Sequence, residues 1–279
     1  MQVDIDHLRQ WIGREQVEAE RLSRTLVRQF NATFDRQSGA EEGDIAPLLI
    51  HFCLTQPIAP TSELGDDGHP ARGGFLPPVP LPRRMWAGGA FSFQDDIRVG
   101  EIVERRSTIR DVVLKEGRTG VLCFVTVEHE IRSGGRDVLT ERQDIVYRDA
   151  TAPGDTAGRM PERASEGTHR TVIRPTAPLL FRYSAMTFNG HRIHYDKAYV
   201  TEVEGYPGLI VHGPLQATLL AQMAADIRGA RPTAFRFRSL SPLFDNADFS
   251  LNASEDWDGL KVWTARAGGP VAMEARAEW

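Results

Sequence analysis

The sequence predicts an α+β fold in which two antiparallel sheets are each wrapped around a central helix. In each half of the chain, a helical stretch with many apolar residues precedes several runs with the alternating pattern of strands. Residues 151–167 have no periodicity and few large apolar side chains, so they separate the two halves. We therefore expect an N-terminal unit of residues 1–150, a linker of residues 151–170 and a C-terminal unit of residues 171–279.

The N-terminal half is predicted to begin with two helices. Residues 14–34 place apolar side chains on one helical face, and residues 45–54 are apolar almost all round, which predicts a buried helix. Residues 61–84 form a long loop rich in Gly and Pro, and loops of this length in compact domains are usually functional or wrapped along a surface. The strand candidates that follow are residues 101–114, 120–132 and 137–148.

The C-terminal half is predicted to open with a buried strand end at residues 179–183, followed by a turn at Asn189-Gly190. A short helix is expected over residues 196–203. A second helix should begin at His212-Gly213-Pro214, since Pro is tolerated in a first turn and Leu recurs at spacing four beyond it. The closing strand candidates are residues 234–240, 249–254, 260–267 and 271–279.

Composition narrows the class of protein. The chain is 41% hydrophobic and 25% charged, as soluble globular proteins are, and its net charge of −5 argues against a nucleic-acid partner. Cys53 and Cys123 lie in apolar runs and are predicted to be buried free thiols. No apolar run approaches membrane-spanning length, and the charged N-terminus lacks a signal-peptide core. We expect a cytoplasmic protein with no membrane partner.

The chemistry concentrates where the second helix of the C-terminal half begins. His191, His194 and His212 fall here, and Asn189 lies on the same loop as His194. A helix start presents free N–H groups and about half a positive charge. An unperturbed imidazole has a pKa of about 6.5, so the neutral base is abundant near pH 7. A base facing such a site could hydrate a polarised carbonyl compound.

Two runs of sequence, YSAMTFNGHRIHYD and EGYPGLIVHGPL, resemble the MaoC-like dehydratases, also called the (R)-specific enoyl-CoA hydratases. The branch they resemble holds mesaconyl-C4-CoA hydratase and the type 2 hydroxyacyl-thioester dehydratases. The family motif is an Asp, a His five residues later and an Asp two further, and these positions hold Asn189, His194 and Asp196 here. The family's His-Gly pair is matched by His212-Gly213. Weaker resemblance extends through FLPPVPLPRRMWAGG.

This resemblance implies a tandem (double) hot-dog fold whose halves share one acyl pocket, with catalysis in the C-terminal half. It implies reversible addition of water to a 2-enoyl-CoA thioester, with a short branched dicarboxylyl-CoA as the expected substrate. His194 is then expected to take the water proton, Asn189 to hold the water, and the Gly213 N–H to stabilise the thioester oxygen. An amide cannot accept a proton, so His194 would act alone or with a group that the sequence does not place.

Further residues are candidates for contacts with the substrate or its CoA. His191, His212 and Tyr183 flank the site, although His212 could simply brace the helix start. Arg236 and Arg238 share one face of a strand and could meet phosphates, or could be a solvated face. Weaker candidates are Arg83 and Arg84 for phosphates and Met85, Trp86 and Phe75 for the acyl tunnel, with aromatic core as the alternative for the last three.

Several alternatives stay open from the sequence. Asn189-Gly190 could be a plain turn, and Gly213 could serve packing only. The three clustered histidines could bind a metal, but no carboxylate or cysteine completes a familiar zinc pattern. We expect no metal and no cofactor beyond the CoA of the substrate, and a homodimer or pseudo-dimeric monomer. Rival functions are a fatty-acid 3-hydroxyacyl-thioester dehydratase, a hot-dog thioesterase and a non-catalytic acyl-CoA binding protein.

Overall fold

The computed structural model of the chain describes residues 3–117, 120–149 and 162–279. Ten strands of these residues form one continuous antiparallel sheet in the order β1-β3-β4-β5-β2-β7-β10-β9-β8-β6. The strands are β1 Glu15–Arg21, β2 Arg83–Phe93, β3 Ile102–Gly117, β4 Gly120–Ser133, β5 Arg136–Arg148, β6 His169–Ile173, β7 Ala234–Ser239, β8 Phe249–Asp256, β9 Gly259–Arg266 and β10 Val271–Glu278.

Four α-helices accompany this sheet in the described residues: α1 Ile5–Arg9, α2 Arg24–Thr33, α3 Ala177–Met186 and α4 Gly213–Arg228. Helix α4 begins after His212 with a proline in its first turn, as predicted, and ends at Gly229 in the left-handed conformation. Half of its residues are buried, because it lies across the C-terminal strands of the sheet. None of the described helices is long and apolar enough to cross a membrane.

The two halves of the chain meet where β2 pairs with β7. Gly88 and Gly89 lie at this junction, and a Cβ on either would come within 2.7 and 2.5 Å, respectively, of a neighbouring carbonyl oxygen. Only glycine therefore allows the strands to approach this closely. One hydrophobic core runs beneath both halves, and a second, smaller cluster that includes Tyr147 lies in the N-terminal half.

The N-terminal half differs from the prediction in its helices. Residues 14–34 are not one helix but β1 followed by α2, and Ser23 caps α2 by accepting a hydrogen bond from the Leu26 N–H at 3.1 Å. Residues 45–54 contain only a buried 3₁₀ turn, Ile50–Cys53. A longer helix is prevented because Leu49 has a positive φ of 63° and Pro47 has no N–H to donate.

In the C-terminal half, one predicted strand end is a helix. Residues 179–183 were expected to be a strand end but belong to α3, whose first N–H groups are served by the Thr176 hydroxyl, 3.3 Å from the Leu179 nitrogen. The short helix expected over residues 196–203 is confirmed, since residues 197–203 are helical and end in the π-helical turn Tyr199–Val203. The other strand predictions of both halves are confirmed within a few residues at their ends.

The predicted linker, residues 151–170, lies partly outside the described residues. Its described end already includes the first residues of β6, which begins at His169. Cys53 and Cys123 are buried and unpaired, as expected from their apolar surroundings.

Candidate active site

The start of α4 leaves a backbone donor without an acceptor. The Gln216 N–H donates to the His212 carbonyl at 3.1 Å, which closes the first turn. Pro214 has no N–H, and no acceptor for the Gly213 N–H is found in the described parts of the chain. The Trp86 indole of β2 covers this point, and a Cβ on Gly213 would lie 3.1 Å from its Cε3 atom. A larger residue at position 213 would therefore push the Trp86 indole away from the helix start.

His194 lies beside this helix start, on the 3₁₀ turn Arg192–His194. Its Nδ1 donates to the Ile210 carbonyl at 2.7 Å, so the proton of a neutral ring is on Nδ1 and Nε2 keeps its lone pair. The ring stacks on that of His212, with centroids 3.7 Å apart and planes inclined by 20°. The structure thus brings the predicted base next to the residue that precedes Gly213.

Burial decides the protonation state of His194. The side chain is buried, and this lowers its pKa to about 4, against the opposing hydrogen bond to the Ile210 carbonyl. The neighbouring His69 is a smaller cause of the same lowering of the pKa. At neutral pH the ring is therefore uncharged, and its Nε2 can accept a proton.

His212 and Tyr183 belong to the protein interior. His212 is fully buried, and its Nε2 lies 2.8 Å from the Ser184 hydroxyl. Burial, with His194 and His191 nearby, lowers the pKa of His212 well below its ordinary value. The Tyr183 ring packs edge-on against it, with centroids 5.0 Å apart. These two predicted substrate contacts are not on an accessible surface. Tyr183 packs against His212, and His212 supports the His194 ring by stacking on it.

Asn189 shapes the loop that carries the histidines. Its side-chain oxygen accepts the His191 N–H at 3.0 Å, and its own N–H donates to the Ser184 carbonyl at 2.8 Å. The side-chain NH₂ and the second lone pair of the side-chain oxygen remain for a water molecule, and a water-holding role stays a prediction. Asp196 is occupied as well, because it accepts hydrogen bonds from the Arg192 guanidinium at 2.8 and 3.0 Å and from the Tyr199 N–H at 3.0 Å.

A loop of the N-terminal half completes this cluster, and sequence reasoning did not identify its residues. The Nδ1 of His69 lies 3.0 Å from Oδ2 of Asp67, and the His69 ring centroid lies 4.1 Å from that of His191. The His191 ring in turn meets His194 edge-on at 5.5 Å. The long loop of residues 61–84 was predicted to be functional or wrapped along a surface, and its Asp-Gly-His triplet was the signal that could have identified these residues.

Metal binding can be judged from the same residues. Donor atoms of Asp67, His69 and His191 lie within 4.8 Å of one another, the one such group found among the described residues. The guanidinium of Arg84 lies close enough to lower the pKa of both histidines, after the larger effect of burial. A fixed cation there repels a divalent ion, and Asp67 already pairs with His69. We therefore interpret the group as an Asp–His pair beside a third imidazole.

Arg236 and Arg238 are not part of this cluster. Phe235 and Phe237 of the same strand point into the core, so the arginines point to the outer face of the sheet, opposite to α4. There Arg236 pairs with Glu278 at 3.3 Å and Arg238 with Glu274 at 2.7 Å, and both arginines are about two-thirds exposed. The structure does not bring these predicted CoA contacts together with His194.

Most of the weaker candidates for contacts with phosphate or the acyl chain also lie away from His194. Arg83 forms a half-buried ion pair with Glu204 at 3.4 Å and so ties β2 to the loop before α4. Met85 is exposed and Phe75 packs on the second cluster, so of the three tunnel candidates only Trp86 lies at the helix start.

Surface cavities lie elsewhere on the molecule. One of about 360 Å³ is lined by residues 174–177 and 245–248, and another of about 270 Å³ by residues of β8, β9 and the segment before β6. Neither contains His194 or Gly213. We locate the site by the base and the free amide, because those groups carry the chemistry.

The architecture matches solved structures. HtdX from Mycobacterium tuberculosis superposes with a TM-score of 0.68 at 17% identity, covering 95% of this chain and 98% of that one. A second Mycobacterium tuberculosis protein, described as having a double hotdog fold, gives 0.56 at 15% identity over 95% of both chains. The fold and the histidine loop beside a helix start define a MaoC-like protein of the double hot-dog class, as expected from the sequence.

Sequence comparison gives the family. The model of hydroxyacyl-thioester dehydratase type 2 matches residues 49–245, which is more than half of the chain. Mesaconyl-C(4)-CoA hydratase of Chloroflexus aurantiacus is 43% identical over 96% of both chains. A mitochondrial hydroxyacyl-thioester dehydratase type 2 of Schizosaccharomyces pombe is 26% identical over 74% of this chain and 76% of its own. The chain belongs to the hydroxyacyl-thioester dehydratase type 2 family, whose named members here are hydro-lyases.

Proposed function

We propose that this protein is a hydratase that adds water reversibly to a 2-enoyl-CoA thioester, with a short branched dicarboxylyl-CoA such as mesaconyl-C4-CoA as substrate. The observation that carries the reaction is the neutral, buried His194, whose Nε2 is free and whose ring stacks on His212, the residue that precedes the unpaired amide of Gly213. The choice of acyl group is supported by the relative named mesaconyl-C(4)-CoA hydratase, which is 43% identical over nearly the whole chain.

The chemistry follows from these two groups. The thioester oxygen accepts a hydrogen bond from the Gly213 N–H, which stabilises the negative charge that develops as water attacks Cβ. Fixed donors at comparable sites are worth about 3 kcal/mol. The Nε2 of His194 removes a proton from the water, the oxygen bonds to Cβ, and a proton is returned to the resulting enolate at Cα, which leaves His194 neutral again. Dehydration is the same sequence reversed.

A second candidate is the dehydration of straight-chain 3-hydroxyacyl thioesters. It is favoured by the family match, because the matching model is described as a hydroxyacyl-thioester dehydratase. A panel of dicarboxylyl and straight-chain enoyl-CoA esters, followed at the enoyl-thioester absorbance, separates the two. A preference of at least tenfold in kcat/KM, about 1.4 kcal/mol of differential transition-state binding, identifies the substrate class.

The remaining functional expectations are part of the same proposal. The reaction requires no metal and no cofactor besides the CoA of its substrate, because the imidazole and the amide supply base and electrophile. One chain carries both halves in a single sheet, which supports a pseudo-dimeric monomer over a site shared between chains. The cytoplasmic location and the absence of nucleic-acid and membrane partners stay predictions from the sequence.

The decisive variant is His194→Ala. Loss of the base should lower kcat by about 10²-fold or more, with mesaconyl-C4-CoA as substrate. His169→Ala, which removes an exposed imidazole on β6, is the matched control and should retain wild-type turnover. Near-wild-type kcat in His194→Ala would remove the proposed base. Release of free CoA without loss of the double bond would instead identify a thioesterase and refute the hydratase proposal.

A further inference from the structure

The N-terminal loop that carries Asp67 and His69 is pressed against the histidine loop of the C-terminal half. A Cβ on Gly68 would lie 1.9 Å from the Gly190 carbonyl oxygen, and a Cβ on Gly190 would lie 2.6 Å from that of Gly68. The Arg192 N–H donates to the Asp67 carbonyl at 2.9 Å, and its guanidinium donates to the Asp66 carbonyl at 3.0 Å. Two glycines and an arginine therefore fix His69 at one place beside His191.

Asp67 orients the His69 ring. One carboxylate oxygen lies 3.0 Å from Nδ1, and the other accepts the His69 N–H at 2.9 Å. Although burial opposes it, the hydrogen bond from His69 lowers the pKa of Asp67, so the carboxylate is ionised. An ionised carboxylate on Nδ1 leaves Nε2 free and stabilises the imidazolium that forms when Nε2 takes a proton. Both side chains are less than one-third exposed.

The two halves of the site are continuous. Centroid distances of 4.1 Å from His69 to His191 and 5.5 Å from His191 to His194 leave no room for another side chain between the rings. Donor atoms of His191, His69 and Asp67 lie within 4.8 Å of one another, so two further imidazoles and a carboxylate follow His194 in sequence through space. On its other side, the His194 ring stacks on His212, whose Nε2 is paired with the Ser184 hydroxyl in the interior.

The reaction can use such a second group. Hydration removes a proton from water at Cβ and delivers a proton to Cα, which are different places in the substrate. Asn189 cannot accept a proton, so within its own loop His194 has no carboxylate partner, since Asp196 is held by Arg192 and Tyr199.

We propose that the Asp67–His69 pair, acting with His191, is the second proton-transfer group of this active site, so that the N-terminal half takes part in the chemistry. The water O–H bond breaks and its proton passes to His194. The oxygen bonds to Cβ and the double-bond electrons move onto the thioester as an enolate. The proton moves along His191 and His69, where Asp67 stabilises it, and is delivered to Cα. No other acid, base or oxidant is consumed.

This inference rests on the proposed function, and three variants test it. His69→Gln removes the ring, and Asp67→Asn removes the charge that stabilises it. Asp66→Asn is the control, because it removes the same charge from the same loop at a residue that is exposed. With mesaconyl-C4-CoA, His69→Gln should lower kcat by about 10²-fold with little change in KM. Asp67→Asn should show a smaller loss in kcat, and Asp66→Asn none.

Two readouts distinguish proton transfer from mere support of the fold. In D₂O, exchange of the Cα hydrogen of the hydroxyacyl-CoA should slow in His69→Gln more than release of the β-hydroxyl does. In a further variant, His69→Ala, added imidazole should restore part of kcat, and it should not change the kcat of Asp66→Asn, which keeps His69. Unchanged exchange, or a defect confined to KM, would overturn the proposal.

The outcomes are distinguishable from failure of the proposed function. A wild-type chain that turns over no enoyl-CoA ester overturns both. An active wild type with an equally active His69→Gln overturns this inference alone. If His69→Gln fails to fold, equal kcat in Asp67→Asn and Asp66→Asn overturns it. Loss of wild-type activity after chelation, restored by Zn²⁺, would make the three residues metal ligands and also refute the proton-transfer role.

Discussion

Four imidazoles lie in one row at the centre of this molecule: His69, His191, His194 and His212. Their hydrogen-bond partners differ. His69 is paired with a carboxylate, His194 with a backbone carbonyl and His212 with a hydroxyl. Burial lowers the pKa of all four. The row is therefore uncharged at neutral pH and can accept a proton without first having to lose one.

This burial predicts acid sensitivity of the fold. The pKa of His194 falls from its ordinary value in the unfolded chain to about 4 in the folded one. Between these pH values the unfolded chain binds more protons, so stability is fully present above about pH 6.5 and decreases as the pH falls. The contribution of one such group is on the order of 1 kcal/mol for each pH unit in this window.

The measurement is urea unfolding of wild type and His194→Gln at pH 7, 6 and 5. The free energy of unfolding should fall less steeply with decreasing pH in the variant. The difference in slope should be about that expected for one bound proton. His169→Gln, on the exposed β6, should keep the wild-type slope. Equal slopes in wild type and His194→Gln would contradict the buried, neutral state of this ring.

At the scale of elements, the site is made by loops that two helices and a strand hold in place. The histidine loop is fixed by α3 through the Ser184 carbonyl and by Ile210, which lies just before α4. The sequence predicted α4 well, because its start and its apolar spacing are local signals. It did not predict α3, because a run of large apolar residues as short as residues 179–183 suits a strand as well as a helix.

The loop-to-loop contact gives a prediction with an internal control. Gly68 and Gly13 have nearly the same left-handed φ, +86° and +85°, but a Cβ on Gly13 meets nothing within 4 Å. Gly13→Ala should cost roughly 1–2 kcal/mol for its backbone conformation alone. Gly68→Ala adds a clash with the Gly190 carbonyl, which should cost roughly another 1–3 kcal/mol.

Thermal or urea unfolding of the two variants checks this difference, and enoyl-CoA turnover checks its consequence. Gly68→Ala should also lower kcat, since it moves His69 away from His191, whereas Gly13→Ala should leave kcat unchanged. Equal losses of stability in both variants would show that the contact between the loops is loose.

At the scale of the whole molecule, the two hot-dog halves are one folding unit. Their sheets are joined through β2 and β7, and their main core is continuous. The N-terminal half contributes the 3₁₀ turn Ile50–Cys53 to that core where the C-terminal half contributes the long helix α4. We expect a single cooperative unfolding transition, with calorimetric and van't Hoff enthalpies that agree.

The junction itself can be tested with Gly89→Val. A Cβ there would lie 2.5 Å from the Arg142 carbonyl and 2.8 Å from the Phe237 ring, so the larger side chain should destabilise the chain by roughly 3 kcal/mol or more. Gly74→Val, at a loop glycine whose Cβ would meet nothing within 4 Å, should be close to neutral. Two separate transitions in either protein would contradict a single folding unit.

The sequence by itself determined seven of the ten strands, the helix that begins at Gly213, and the candidates Asn189, His194 and Gly213. Those features are local, because each depends on residues within a short stretch of chain. The signals are periodicity, a turn dipeptide, a proline in a first turn and a spaced motif. Only the tertiary structure decided which groups meet His194. Asp67 and His69 are more than a hundred residues away along the chain, and no local pattern records the contact of Gly68 with Gly190 that brings them there. Burial was decided in the same way, because the low pKa of His194 arises from side chains of both halves packed around one ring.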